Sequence, residues 1–230
     1  MKAEKKSRVT KIIGIVLLVT LVLSVVYALV NFILAPAQAD PALPHQKLKS
    51  DYLLMTTQCV LGIVVMMIPT IIARRWKVVV PDAIVIMYFV FLYCAIYLGE
   101  VHSFYYVIPH WDTILHAFSG AMLGALGFML VDILNKDSKV SVSLSPLFLS
   151  VFAFAFALAA GSLWEVYEYS FDAILGLNMQ KHTTQTGVAL TGVQALSDTM
   201  KDIIIDALSA LCVAVVGFFM SSSKRKNQTN

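Results

Sequence analysis

IIGIVLLVTLVLSVVYALVNFIL, residues Ile12 to Leu34, runs for 23 residues without a charge. As a helix rising about 1.5 Å per residue it is about 35 Å long, enough to cross a hydrocarbon core of about 30 Å. Five further runs read the same way: 52–73, 83–99, 113–131, 144–164 and 203–220, the last with one charge, Asp206. Lipid offers no partners to an open sheet edge, and these runs are far too long for barrel strands. The sequence therefore predicts an all-α polytopic membrane helix bundle: six transmembrane helices in one domain covering residues 1–230.

Composition agrees. The chain is 59% hydrophobic and 13% charged, where a soluble domain carries roughly a quarter charged residues. Lys and Arg counts give the orientation. With both termini cytoplasmic, the inner side holds Lys2, Lys5, Lys6, Arg8, Lys11, Arg74, Arg75, Lys77, Lys136, Lys139, Lys224, Arg225 and Lys226. The outer side holds only Lys47, Lys49, Lys181 and Lys201. The short basic clusters flank spans, so they read as topology and headgroup contact; no nucleic-acid partner is expected. The expected setting is a bacterial plasma membrane with the lipid bilayer as first partner. Ala37-Gln38-Ala39 before Asp40 resembles a signal cleavage site, but the apolar run is long for a signal core, so the first helix is expected to remain. Cys59, Cys94 and Cys212 fall inside spans and form no CxxC pair, so no disulfide or zinc knuckle is expected.

Chemistry concentrates in eight carboxylates that this orientation places on the outer side: Glu100, Asp112, Glu165, Glu168, Asp172, Asp198, Asp202 and Asp206. Acids at membrane depth are costly and mark function by default. Glu100 and His102 close the third run, with Tyr105, Tyr106, His110 and Trp111 after them as an interfacial belt. Asp112 and His116 open the fourth, four residues apart on one helix face. Glu165, Glu168 and Asp172 share a face at the end of the fifth, where the helix dipole opposes them. Asp198, Asp202 and Asp206 form one stripe opening the sixth, with only Asp198 near enough to the helix start to gain from the dipole. Two or three positive charges cannot pair eight negative ones. Shared protons, a solvated crevice, a bound cation or a cationic substrate group resolve the excess. The metal-ligand candidates are Asp112, His116, Glu165, Asp198 and Asp202. With an imidazole among them, Zn, Mn or Fe suits the set; carboxylates alone suit Ca or Mg. Gly120, Gly124 and Gly127, and then Ala153, Ala157 and Gly161, are spaced for close helix packing. The loop from about Ala173 to Ser197, with Thr183, Thr184, Thr186 and Thr191, reads as a flexible cover over the outer face.

Three blocks together carry a family resemblance: Trp111-Asp112-Thr113-Ile114-Leu115-His116 with Gly120; Trp164-Glu165-Val166-Tyr167-Glu168; and Asp198-Thr199-Met200-Lys201-Asp202 with Asp206 and Ala210. They resemble the uncharacterised bacterial membrane proteins typified by YjdF, within a broader VanZ-like group. Asp206 and Ser209 depart from that wider pattern, which usually has Asn and Gly there. The resemblance implies a membrane protein with a site at these residues and names no reaction.

Three functions are compatible with the cluster. The first is a metal-assisted hydrolase or transferase acting on a lipid or cell-envelope substrate, with His116 in the site and Glu165 or Glu168 as general base. The second is a cation- or proton-coupled transporter using the Asp198, Asp202, Asp206 stripe. The third is a non-catalytic envelope or accessory protein whose acids hold a cation or a basic partner.

Overall fold

The structure is a computed structural model that describes residues 7–38, 46–75, 79–137, 144–184 and 188–229. Lys2, Glu4, Lys5, Lys6, the Ala39–Asp40 junction, Lys77, Lys139 and Thr186 lie outside the described residues. The elements are helical throughout: α1 (Arg8–Leu34), α2 (Lys49–Val65), α3 (Ile68–Arg75), α4 (Asp82–Leu92) running into a π-helix (Tyr93–Val101), α5 (Phe104–Val107), α6 (Trp111–Asp137), α7 (Pro146–Leu175) and α8 (Val193–Thr229). Six stretches are long and apolar enough to cross a membrane, with α2 and α3 sharing one and α4 and the π-helix another. Every span expected from the sequence is present.

Two of those spans are longer at the ends that matter. α7 continues to Leu175, eleven residues past the expected end, because no Gly or Pro interrupts it before Gly176. Gly176 takes φ +63° and its N–H closes the helix on the Asp172 carbonyl at 2.9 Å. α8 starts at Val193, directly after Gly192 at φ +59°, so Asp198 lies inside the helix rather than at its opening. Glu165, Glu168 and Asp198 are thus helix-interior residues. The dipole arguments made for them from the sequence do not apply, because that field fades within a turn of each end.

The chain divides into two units, Met1–Trp111 with Phe171–Thr191, and Asp112–Ser170 with Gly192–Asn230. In the first, Leu17, Leu21 and Ala28 of α1, Met55 and Cys59 of α2, and Val85, Phe89, Leu92 and Ile96 of α4 and the π-helix form one buried cluster. α1 starts on Ser7, whose hydroxyl accepts from Thr10 N–H at 3.2 Å and whose N–H donates to Asp82 Oδ2 at 2.9 Å. α2 breaks before α3 because Pro69 has no N–H for the carbonyl of Val65, four residues back. The Tyr88 hydroxyl of α4 donates to that carbonyl instead, at 2.9 Å. Inside a bilayer such replacement is required, since water cannot supply it.

The second unit packs through its small residues. A Cβ on Gly124 of α6 would lie 3.3 Å from Val213 of α8, and one on Gly127 would lie 2.7 Å from the Ala153 Cα of α7. Gly120 faces Asp206 and Ser209 of α8, and Gly161 of α7 faces the Asp206 carboxylate. The Gly and Ala stripes therefore serve close approach, as their spacing implies, and two of their members serve one aspartate.

Candidate metal centre

His116 sits one turn into α6 and is 7% exposed. Its two ring nitrogens meet different neighbours. Nδ1 lies 3.2 Å from Asp206 Oδ2 of α8. Nε2 lies 3.7 Å from Asp112 Oδ1, four residues back along α6, and 3.8 Å from Glu165 Oε1 of α7. Asp202 completes the group: one donor atom each from Asp112, His116 and Asp202 lie within 4.8 Å of one another. Three helices thus aim an imidazole and four carboxylates at one place.

Burial grades along α8 in step with this arrangement. Asp198 is half-buried, Asp202 is 8% exposed and Asp206 is 1% exposed. Asp206 uses both oxygens. Oδ2 faces the imidazole, and Oδ1 lies 3.1 Å from the Ser119 hydroxyl, which also lies 2.9 Å from the His116 carbonyl and shares its one proton between them. Glu165 is 5% exposed, and its Oε1 has no hydrogen-bond partner among the described residues. A buried carboxylate oxygen without a donor costs about 1–3 kcal/mol or more, and a cation is one way to remove that cost. Two atoms bound to one ion at about 2.1 Å lie about 3.0–3.4 Å apart. The Asp112 oxygen is 3.7 Å from Nε2, and the donor atoms of Asp112, His116 and Asp202 lie within 4.8 Å of one another, so the three would have to draw together around an ion.

The other acids have their own partners. Asp172 accepts from the N–H groups of Met179 at 2.7 Å and Gln180 at 3.0 Å, and lies 3.4 Å from His182 Nδ1. The loop after its own helix therefore supplies the donors for Asp172. Glu100, on the π-helix, pairs with Lys181 Nζ at 3.0 Å, both side chains being nearly buried. The same ammonium lies over the rings of Tyr105 and Tyr106, 4.7 and 5.5 Å from their centroids. His102 is exposed, its ring edge-on to Tyr97. Glu168 lies three residues past Glu165 and is half-buried.

Nor is the α7–α8 loop loose where it is described. Asn178 and Thr183 bond reciprocally, Asn178 Nδ2 also donates to the Tyr106 hydroxyl at 2.9 Å, and Lys181 holds a left-handed φ of +51°. In its described residues this loop is buckled onto the π-helix and α5. Near the loop's anchor, burial holds the Lys47 ammonium below its ordinary value, with Glu100 and Asp51 pulling the other way.

Sequence reasoning missed Ser119 and Gly161 as parts of the site. Both carried a signal: Ser119 stands three residues after His116, and Gly161 four before Glu165, each on its partner's helix face. The π-helix has no comparable signature.

No solved structure matches the chain. A curated relative, an uncharacterized protein of Thermotoga maritima, is 32% identical over 119 residues, 52% of this chain and 53% of that protein. The chain spans about half the length of that relative. The family described as "Predicted membrane protein (DUF2238)" matches residues 12–223, nearly the whole length. With six spans and an apolar surface to match, the chain belongs to the DUF2238 family of membrane proteins.

Proposed function

We propose that this protein is a membrane-embedded, metal-assisted hydrolase or group transferase acting on a lipid or cell-envelope substrate. The observation that carries the reading is the buried, donorless Oε1 of Glu165, aimed at His116 Nε2 beside Asp112 and Asp202. Asp112, His116 and Asp202 are the ligands, leaving positions open for substrate and water. One imidazole with two carboxylates suits Zn, Mn or Fe; Ca fits less well because it takes oxygen donors alone. Such an ion supplies water activation and polarises a carbonyl or phosphoryl oxygen. Glu165 is placed to take the proton, which makes it the general base ahead of Glu168. Asp198, one turn before Asp202, lies at the margin of the set. The membrane setting supports a lipid substrate, since the outer faces of these helices are apolar.

The Lys and Arg bias supports cytoplasmic termini and an outward-facing site, and the bacterial relative supports a bacterial plasma membrane. The order Asp-xxx-His, Glu, Asp-xxx-Asp supports the wider VanZ-like grouping. A second reading has one observation in its favour. An ion between α6, α7 and α8 would tie three helices together, which suits a non-catalytic accessory protein. Transport is the weakest reading, because Asp206 is wedged between Gly120 and Gly161 and is poorly placed to pass a cation along.

The test is elemental analysis of the detergent-purified chain beside His116→Ala and Asp202→Asn, followed by envelope-lipid turnover. A stoichiometric ion lost in both variants, with turnover lost in Glu165→Gln, is expected. An ion whose removal lowers thermal stability while no lipid is turned over supports the accessory reading. No ion in folded wild type refutes the metal centre.

A further inference from the structure

We infer that Asp206 is a positioning residue, not a metal ligand: with Ser119 it holds the proton of His116 on Nδ1 and so turns Nε2 to the ion. The inference rests on the metal centre proposed above and assigns a division of labour within it. From the sequence alone Asp206 is simply the third acid of a stripe. The geometry separates it from the other two. Asp112 Oδ1 lies 3.7 Å from His116 Nε2, whereas Asp206 Oδ2 meets the opposite nitrogen at 3.2 Å, and Asp206 is 1% exposed against 8% for Asp202 and a half-buried Asp198. A carboxylate facing Nδ1 favours a proton there. A lone pair on Nδ1 would face a lone pair of the carboxylate oxygen 3.2 Å away, so the tautomer with Nδ1–H and an open Nε2 is favoured by the contact.

The fold gives Asp206 little room to do anything else. A Cβ on Gly161 would come within 2.5 Å of Oδ2 and 3.0 Å of Cγ. On the other side, a Cβ on Gly120 would come within 2.7 Å of the Asp206 carbonyl oxygen and 2.9 Å of its Cα. α8 is pressed between two glycine backbones at this residue, which fixes both its main chain and its carboxylate. Ser119 on the same face of α6 as His116 engages the second oxygen. A carboxylate behind a ligating imidazole raises its basicity and sets its plane, and its loss typically costs 10–100-fold in metal affinity.

The experiment uses the full-length chain in detergent, labelled with ¹⁵N-histidine and loaded with Zn²⁺, with Mn²⁺ affinity measured in parallel. His116→Gln identifies the resonance. In wild type the expected spectrum has Nδ1 protonated and Nε2 at the metal-bound shift. Asp206→Ala is expected to lower Mn²⁺ affinity about 10–100-fold and to lose the Nδ1–H signature. Asp206→Asn, whose amide oxygen still accepts from Nδ1–H, should restore the signature and part of the affinity. Ser119→Ala should weaken affinity less than Asp206→Ala. Should Asp206→Ala not fold, the Asn and Ser119 variants carry the comparison. Zn²⁺ bound through Nδ1, or unchanged affinity in the folded Asp206 variants, overturns the positioning role while leaving the metal centre standing. No metal in wild type overturns both.

Discussion

Replacing Gly161 by Ala adds one methyl group at the most crowded point beside the site. Its Cβ would lie 2.5 Å from Asp206 Oδ2, where ordinary contact starts at 3.4 Å, so something must move by about 0.9 Å. Asp206 cannot absorb that and keep its partners. Its bond to His116 is already 3.2 Å, and a hydrogen bond is gone by about 3.6 Å. Overpacking of this kind costs about 1–3 kcal/mol. Ala also favours a helix over Gly by about 1 kcal/mol, so the comparison should be with another glycine. Gly124→Ala is suitable: its Cβ would meet Val213 at 3.3 Å, a contact a side chain can relax. The helix preference is common to both variants and cancels. Gly161→Ala should therefore be about 1–3 kcal/mol less stable than Gly124→Ala. At about 2–4 °C per kcal/mol for a chain of this size, that is a gap of about 2–12 °C in Tm. Thermal unfolding of both in one detergent reads the gap, and Mn²⁺ affinity reads the site. A Gly161→Ala protein that melts with or above Gly124→Ala and binds Mn²⁺ as wild type does would refute the placement of Asp206.

Two further predictions concern the first unit. Tyr88→Phe leaves the Val65 carbonyl without a donor and should cost about 1–3 kcal/mol; Pro69→Ala in that background returns an N–H four residues on and should recover part of the loss. If the double variant is as unstable as the sum of its singles, the tyrosine is not replacing the missing N–H. Lys47 carries a pH dependence whose sign follows from burial. Its folded pKa lies below the ordinary 10.5, so between the two values the unfolded chain binds more protons. Stability must then rise with pH across that window, and the gain is complete above about 10.5. The Tm of wild type minus that of Lys47→Met should grow as pH approaches 10.5, and a constant difference would show that Lys47 is not buried.

The six spans were legible because charge-free length is a direct physical requirement of the bilayer. Helix ends were not. Glu165 and Asp198 look like terminal residues because an acid inside an apolar helix is costly, yet α7 runs on past Glu165 to Leu175 and α8 starts five residues before Asp198. The gathering of Asp112, His116, Glu165 and Asp202 was legible from helix periodicity and shared polarity. Glu100 and Asp172 were read into the same cluster because a one-dimensional charge count cannot tell which partner each acid meets. Glu100 meets Lys181, 81 residues on, and Asp172 meets backbone N–H groups, which no composition records. The double duty of Asp206 was likewise invisible, since it depends on glycines in two other helices.

The Glu100–Lys181 buckle has a consequence for biogenesis. The third span is synthesised 81 residues before the lysine that neutralises its carboxylate, and His116 waits 90 residues for Asp206. The first unit is completed only by Phe171–Thr191, after most of α6 and α7 has been made. The contacts of the first unit are therefore not complete when its three spans have been made. Glu100 has no Lys181 to pair with until Phe171–Thr191 is made. Both contacts can form only once the loop after α7, and then α8, have been made.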